Sequence, residues 1–201
     1  MQTTPKWDFI HEKSALLVVD MQNDFVLEGA IMEVPNARPL IEPIAQIISR
    51  CREIGVPVVY TEHETHPDRC PMEIANWPHL AHAGMRAGTK GIETIDELAP
   101  QPGDPVVRKH RYSAFFETNL ELILRNLRGG NNTVDTLIIV GIMSNICCES
   151  TARDAVYRDY KVVFGGDVTA SVWDDAHRAT LANMDIFGRV LNFDEIMAKL
   201  G

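Results

Sequence analysis

The fold of this 201-residue chain is constrained most by a short run of branched apolar residues that is followed closely by a cysteine. Thr136–Ile142 (TLIIVGI) is a short apolar run rich in Ile and Val and broken at Gly141, which is typical of a strand buried on both faces of a parallel sheet. Ser144 and Asn145 are favourable helix N-caps, and the apolar spacing over residues 146–160 predicts a helix. Cys147 is therefore predicted in the first turn of a helix, at the carboxyl end of a central strand.

This position gives Cys147 a possible chemical role. The first N–H groups of a helix have no intrahelical partners and carry partial positive charge, so they are expected to stabilise a thiolate, the nucleophilic form of cysteine. The carboxyl ends of strands in open α/β sheets are also where ligands bind. The alternative is that Cys147 is a small, inert core residue, as free cysteines often are.

Strands and helices alternate along the whole chain. The predicted strands are 14–20, 57–61, 104–109, 136–142, 161–164 and 189–191, and the predicted helices are 38–54, 94–98, 119–127, 146–160, 176–186 and 194–200. Strand–helix–strand units imply right-handed crossovers and parallel pairing. The chain is therefore predicted to be one α/β domain over residues 1–201, a three-layer Rossmann-like sandwich with a mainly parallel sheet.

Two further strands end in charged residues. Asp20 closes the first strand and Lys109 closes the third, so both are expected at the sheet edge that also carries Cys147. Asp20 could instead serve only as a turn or cap residue, and the Lys109 side chain could extend into solvent. Together, an acid, an amine and a thiol would suffice for acyl transfer through a covalent thioester.

Composition excludes some other classes of function. The formal net charge of −9 argues against nucleic-acid binding, which needs clustered Lys and Arg. No apolar run is long enough to span a bilayer, and residues 1–13 lack the apolar core of a signal peptide. None of the four cysteines forms a C-x-x-C pair, which favours a reducing compartment. We expect a cytoplasmic protein, and the net charge says little about a small substrate.

Residues 62–103 are rich in Pro and Gly and form the least regular part of the chain. Long irregular segments are often functional lids. Trp77, His79, His82 and Met85 could cover a pocket, or they could pack locally or against a second subunit.

Three separated motifs, in one order, resemble the isochorismatase-like cysteine hydrolases. They are ALLVVDMQNDF (residues 15–25), PVVRKHRYSAF (105–115) and GIMSNICCESTARDA (141–155). The resemblance implies a six-stranded sheet, with Cys147 as nucleophile, Asp20 as proton acceptor and donor, and Lys109 orienting Asp20. It also implies no cofactor, and a homodimer or homotetramer.

The resemblance extends to the surroundings of these three residues. It implies a cis peptide between Ile142 and Met143, and an oxyanion hole made by the backbone N–H groups of Met143 and Cys147. The candidate substrate-binding residues are Phe25, His63, Tyr112, Phe115, Ile142 and Asn145.

Members of the superfamily that cleave isochorismate lack the cysteine, so its presence here favours C–N hydrolysis of an amide, carbamoyl or ureido substrate. Nicotinamidases carry a metal motif, Asp-x-His-x-x-x-His; His63 and His66 are only three residues apart, so we expect no metal. Two alternatives stay open: a metal-dependent nicotinamidase, and a thiol-based redox or ligand-binding protein using the adjacent Cys147 and Cys148.

Overall fold

The computed structural model describes residues 7–131 and 133–201. The prediction that residues 1–13 carry no targeting signal concerns, in part, residues 1–6, which lie outside the described ranges. Within those ranges, no helix combines the length and the apolar character that crossing a membrane requires.

Six parallel strands form one sheet in the order β3-β2-β1-β4-β5-β6. They are β1 (Ser14–Val19), β2 (Val58–His63), β3 (Val106–Lys109), β4 (Thr136–Ile142), β5 (Lys161–Ala170) and β6 (Arg189–Leu191). The chain winds outward from β1 in one direction and from β4 in the other. The carboxyl ends of β1 and β4 therefore flank the switch point at which ligands bind in sheets of this order.

Helices cover both faces of the sheet. They are α1 (Asn23–Val26), α2 (Ile41–Glu53), α3 (Pro71–Asn76), α4 (Leu120–Asn126), α5 (Glu149–Val156), α6 (Asp174–Phe187) and α7 (Phe193–Leu200). Residues of β1 alternate between two core clusters: Leu16 and Val18 pack with α2 and α7, whereas Leu17 and Val19 pack with α4, α5 and α6. This alternation follows from the two-residue period of a strand, and it confirms the predicted three-layer α/β sandwich.

Some element boundaries differ from those predicted. The helix predicted over 38–54 begins as a 3₁₀ turn at Pro35–Leu40 before α2, and the one predicted at 94–98 is a 3₁₀ turn at Asp96–Leu98. β5 extends through the Gly165–Gly166 pair to Ala170, beyond the apolar segment that predicted it. Other 3₁₀ turns lie at His11–Lys13, Pro78–Ala81, Lys90–Ile92 and Leu127–Gly129.

Gly141 allows the two central strands to approach closely near their carboxyl ends. Its φ is +109°, and a Cβ there would lie 2.2 Å from the carbonyl oxygen of Val19. A side chain at position 141 would therefore push β4 away from β1 at the residue that precedes Asp20.

Buried thiols make the stability of the fold sensitive to alkaline pH. Burial raises the pKa of Cys147 and of Cys148, and it raises the pKa of Cys51 to about 12, from a reference value of 9.0. A group whose pKa is raised by folding contributes stability that is present below its unfolded pKa and is lost above it. We expect the free energy of unfolding to fall above about pH 9, by up to about 1.4 kcal/mol per pH unit for each thiol.

Urea unfolding at a series of pH values between about 7 and 10.5 measures this loss. The triple variant Cys51→Ala/Cys147→Ala/Cys148→Ala is the control, and its stability should depend less steeply on pH in that range. Equal slopes for the two proteins would contradict the prediction.

Candidate active site

Three side chains from distant segments meet beyond the carboxyl ends of the strands. The Lys109 Nζ lies 2.8 Å from Oδ2 of Asp20 and 3.3 Å from Sγ of Cys147. Asp20 follows β1 directly, Lys109 ends β3, and Cys147 follows β4. All three are buried, with exposed fractions of 1%, 0% and 7% respectively. The structure thus brings together the acid, the amine and the thiol that the sequence suggested.

The Lys109 ammonium lies in the interior, close to more hydrogen-bond acceptors than the number of its own N–H donors. Its side chain crosses the end of β2 and lies near Asp20 Oδ2, Nδ1 of His63 (3.0 Å), the carbonyl of Arg111 (3.2 Å) and Cys147 Sγ. An ammonium offers three N–H donors. Burial lowers the pKa of Lys109, but the Asp20 carboxylate and the Cys147 sulfur outweigh burial, so the pKa is raised and the amine stays charged. The solvent-exposed alternative for Lys109 is therefore wrong.

Asp20 is fixed by the backbone and by Thr61. Its φ is +51°, a left-handed conformation that turns the chain out of β1. The Thr61 hydroxyl donates to Asp20 Oδ1 at 2.6 Å, and the Asp20 N–H donates to the Thr61 carbonyl at 3.2 Å. One carboxylate oxygen is thus held by Thr61, while the other faces Lys109.

The turn that carries Cys147 differs from the one we predicted. Residues 144–148 form a π-helical turn before α5, and neither Ser144 nor Asn145 caps it through its side chain. Ser144 Oγ instead lies 3.0 Å from Nδ1 of His177 on α6. The Met143 carbonyl accepts from the N–H groups of both Ile146 and Cys148.

The prediction of a stabilised thiolate is also wrong. Burial raises the pKa of Cys147, and the nearby Asp20 carboxylate adds to this effect, while the Lys109 ammonium only partly opposes it. The thiol is therefore protonated at neutral pH, and its sulfur lies within 4.8 Å of a carboxylate oxygen of Asp20. Ionisation of the sulfur requires transfer of its proton to a neighbouring base, and Asp20 is within reach. The peptide bond between Ile142 and Met143, beside this turn, is cis.

A narrow cavity of about 30 Å³ leads to Cys147. Its lining is mostly apolar and consists of Phe25, Met32, His63, Glu73, Trp77, Met85, Tyr112, Met143, Ile146 and Cys147. This volume is small beside the roughly 300–1,000 Å³ of typical ligand pockets, so we expect part of the lining to move when a substrate enters. Three of the lining residues are methionines, whose unbranched side chains adapt readily.

Three of the six candidate substrate-binding residues, Phe25, His63 and Tyr112, line this cavity. Phe115 does not, and we correct that assignment: its ring packs against Tyr160 in the core beneath α4 and α5, because the chain turns inward after Tyr112. Ile142 is a core residue, and its side chain is not part of the lining.

Asn145 lies on the catalytic turn but also outside the lining of the cavity. Its Oδ1 is buried and has no hydrogen-bond partner in the described part of the chain.

The irregular segment 62–103 covers the cavity with α3 and the turn after it. Trp77 and Met85 contribute to the lining, whereas His82 is exposed and His79 contacts Met32 at the surface. Glu73, on α3, was not singled out by sequence reasoning because an acid within an irregular segment resembles an ordinary solvated residue. Of the four residues named for this segment, Trp77 and Met85 reach the cavity, His79 packs locally, and packing against a second subunit stays a prediction.

Gln22 and Thr61 were also missed. Gln22 accepts from the His63 N–H at 2.7 Å and donates to the carbonyls of His63 (3.0 Å) and Ile92 (2.8 Å). It therefore ties the end of β2 to the cover segment. The signal available in the sequence was the position of both residues near strand ends at the functional edge of the sheet.

The residues present do not fit the metal site of nicotinamidases. His63 Nδ1 accepts from Lys109, and its Nε2 lies 2.7 Å from Oε1 of Glu73. His66 is half-exposed and its ring accepts from the N–H of Asp68. Asp20, His63 and Cys147 have potential ligand atoms within 4.8 Å of one another, but all three are within reach of the Lys109 ammonium, which already supplies the positive charge.

Comparisons with known proteins show the family to which the chain belongs. The Isochorismatase domain model matches residues 14–195. The chain is 32% identical to nicotinamidase 3 of Arabidopsis thaliana, over 98% of this chain and 93% of that protein. It is also 32% identical to ureidoacrylate amidohydrolase of Rhizobium rhizogenes, over 94% of this chain and 83% of that protein.

Among solved structures, a cysteine hydrolase from Pseudomonas syringae pv. phaseolicola matches with a TM-score of 0.88 and 29% identity. The match covers 97% of this chain and 95% of that structure. The family model spans nearly the whole described chain, and the named relatives cover it almost end to end. The resemblance seen in the three sequence motifs is confirmed: the chain belongs to the isochorismatase-like cysteine hydrolases.

Proposed function

We propose that this protein hydrolyses a C–N bond of a small amide, carbamoyl or ureido compound through a covalent thioester at Cys147. The observation that carries the proposal is the meeting of Asp20, Lys109 and Cys147 at the end of a narrow, mostly apolar cavity. The names of the relatives, a nicotinamidase and a ureidoacrylate amidohydrolase, support C–N hydrolysis.

The reaction begins with proton transfer. The Asp20 carboxylate accepts the Sγ proton of Cys147, and the sulfur attacks the carbonyl carbon of the substrate. The tetrahedral intermediate collapses, the C–N bond breaks, and the leaving nitrogen takes the proton from Asp20. Asp20 then accepts a proton from water, which attacks the thioester; the acid product leaves and the sulfur recovers its proton.

Lys109 makes the proton transfer possible in a buried site. Because burial raises the pKa of Cys147, the thiolate needs a nearby cation, and the Lys109 ammonium is within 3.3 Å of the sulfur. The backbone N–H groups of Met143 and Cys147 would stabilise the oxyanion. Loss of one such donor typically costs about 3 kcal/mol of transition-state stabilisation.

Nicotinamide is a specific candidate among possible substrates, because a curated relative is a nicotinamidase and the cavity is aromatic and small. Since His63 is held by Lys109 and Glu73, we expect hydrolysis of any such amide to survive chelators. The redox alternative requires an exposed thiol of low pKa; the burial of Cys147 and its raised pKa argue against it.

Trapping the intermediate tests the proposal. Purified protein is incubated with a panel of small amides, carbamoyl compounds and ureas that includes nicotinamide, and ammonia is measured. For each compound that releases ammonia, an acid quench during turnover and intact-mass analysis should reveal an acyl adduct, which peptide mapping assigns to Cys147. Ammonia release without an adduct, from a protein whose deacylation has been slowed by low temperature, would contradict the covalent route.

A homodimer or homotetramer and a cytoplasmic location, both expected from the sequence, stay predictions. Sedimentation equilibrium of the purified protein measures the first.

A further inference from the structure

The cavity above Cys147 is lined by an acid, Glu73, and by no lysine or arginine side chain of the described residues. Lys109, below the cavity, is already paired with Asp20. A molecule that binds against Glu73 therefore meets negative charge that no lining cation compensates.

Glu73 is built into the site rather than placed at its rim. Its side chain is only 11% exposed, and Oε1 lies 2.7 Å from Nε2 of His63. An ammonium has no lone pair, so the Lys109 ammonium donates to His63 Nδ1, and the Nε2 edge of the ring faces Glu73. This contact places the Glu73 carboxylate in the cavity wall.

The second oxygen of Glu73 has no such partner. Oε2 is buried and has no hydrogen-bond partner in the described part of the chain. A buried carboxylate oxygen without a donor is costly unless a ligand supplies one. The cavity is where that donor would come from, since Glu73 is part of its lining.

Neighbouring side chains in the described part of the chain do not donate to this oxygen. Tyr112 stacks on the His63 ring with centroids 6.2 Å apart. Arg111 lines another cleft that shares Glu73 and Tyr112, and its guanidinium donates there to the backbone carbonyls of His110 and Arg69.

We propose that Glu73 selects the substrate by charge: it binds an N–H donor, preferably cationic, at the end of the substrate distal to the scissile carbonyl, and it disfavours substrates with a distal carboxylate. This inference rests on the proposed amide hydrolysis and names its substrate class. The apolar lining binds the body of the substrate, and the adaptable side chains of Met32, Met85 and Met143 move to admit it. Glu73 stays in place because His63 holds it.

Three amides of matched length test the proposal: 4-aminobutanamide (cationic), pentanamide (neutral) and succinamic acid (anionic). We expect kcat/KM to fall in that order, with the cation favoured over the anion by at least about 100-fold. Glu73→Gln should reduce the ratio of cation to anion at least tenfold, by an order-of-magnitude argument from the lost charge. Glu73→Asp, which keeps the charge, should retain the preference.

The control variant is Asp68→Asn. It removes the same charge from the cover segment, but Asp68 is 91% exposed, so the ratio should stay within about twofold of the original. A ratio of rate constants is independent of the fraction of folded protein, so a merely structural role of Glu73 would leave it unchanged. Equal turnover of cation and anion, or an unchanged ratio in Glu73→Gln, would overturn the proposal.

A binding measurement distinguishes a failure of charge selection from a failure of the proposed hydrolysis. Isothermal titration of the Cys147→Ala variant with the same three compounds measures charge preference without chemistry. Preferred binding of 4-aminobutanamide, in the absence of hydrolysis by the unmodified protein, would support charge selection and refute the amidase activity. Hydrolysis with preferred binding of succinamic acid, or no binding of the cation up to about 20 mM, would refute charge selection.

Discussion

Replacement of Cys147 by alanine should abolish turnover of any amide that the protein hydrolyses, with kcat reduced at least about 10⁴-fold. The sulfur is the only nucleophile among the three residues that meet at the strand ends, and neither Asp20 nor Lys109 can form the thioester in its place. Ammonia release under single-turnover and steady-state conditions measures the loss. The variant should keep its fold, because the thiol is small and neutral at pH 7.

Cys148→Ala is the matched control. Cys148 is adjacent in sequence and wholly buried in the core beneath α5 and α6. Its loss should change stability by an amount typical of a small core truncation, about 1 kcal/mol, and should leave kcat within a few-fold. Comparable activity in Cys147→Ala and the unmodified protein would refute the thioester mechanism, whatever the control shows.

Replacement of Lys109 by methionine should both inactivate and strongly destabilise the protein. The substitution keeps an unbranched side chain, one heavy atom shorter, but leaves the Asp20 carboxylate, which is 1% exposed, buried without its cation. Removal of one partner from a buried ion pair typically costs about 3–5 kcal/mol. Urea denaturation monitored by circular dichroism measures the change in the free energy of unfolding. The double variant Asp20→Asn/Lys109→Met should recover part of the stability and none of the activity.

A second lysine–aspartate pair in the same chain provides the control. Lys161 and Asp135 lie 3.0 Å apart, but their side chains are 30% and 34% exposed. Because solvent screens this pair, Lys161→Met should cost less than about 1 kcal/mol. If Lys109→Met and Lys161→Met lose the same stability, the Asp20–Lys109 pair does not carry the electrostatic role assigned to it.

The structure of the cover segment could not be read from the sequence. Glu73 became visible as a cavity residue only because α3 folds over the end of β2 and brings its side chain to His63. Phe115 was wrongly assigned to the pocket for the related reason that its side chain turns into the core after Tyr112. In both cases the residue type fits a position in the pocket or outside it, and the path of an irregular segment decides which of the two the residue occupies. Hydrophobic periodicity gives no information about such a path.

The amino-acid sequence by itself determined the sheet, the order of its elements and the three strand ends that carry Asp20, Lys109 and Cys147. Buried parallel strands require continuous apolar runs, and residues that close such runs necessarily gather at one edge. Only the tertiary structure decided the electrostatic state of the site, since the pKa of the Cys147 thiol depends on its burial and its neighbours rather than on its place in a turn. A position near a helix start would by itself favour the thiolate. In the folded protein, however, the sulfur lies in the interior, where burial disfavours its charged form unless Asp20 accepts the proton and the Lys109 ammonium lies beside the sulfur.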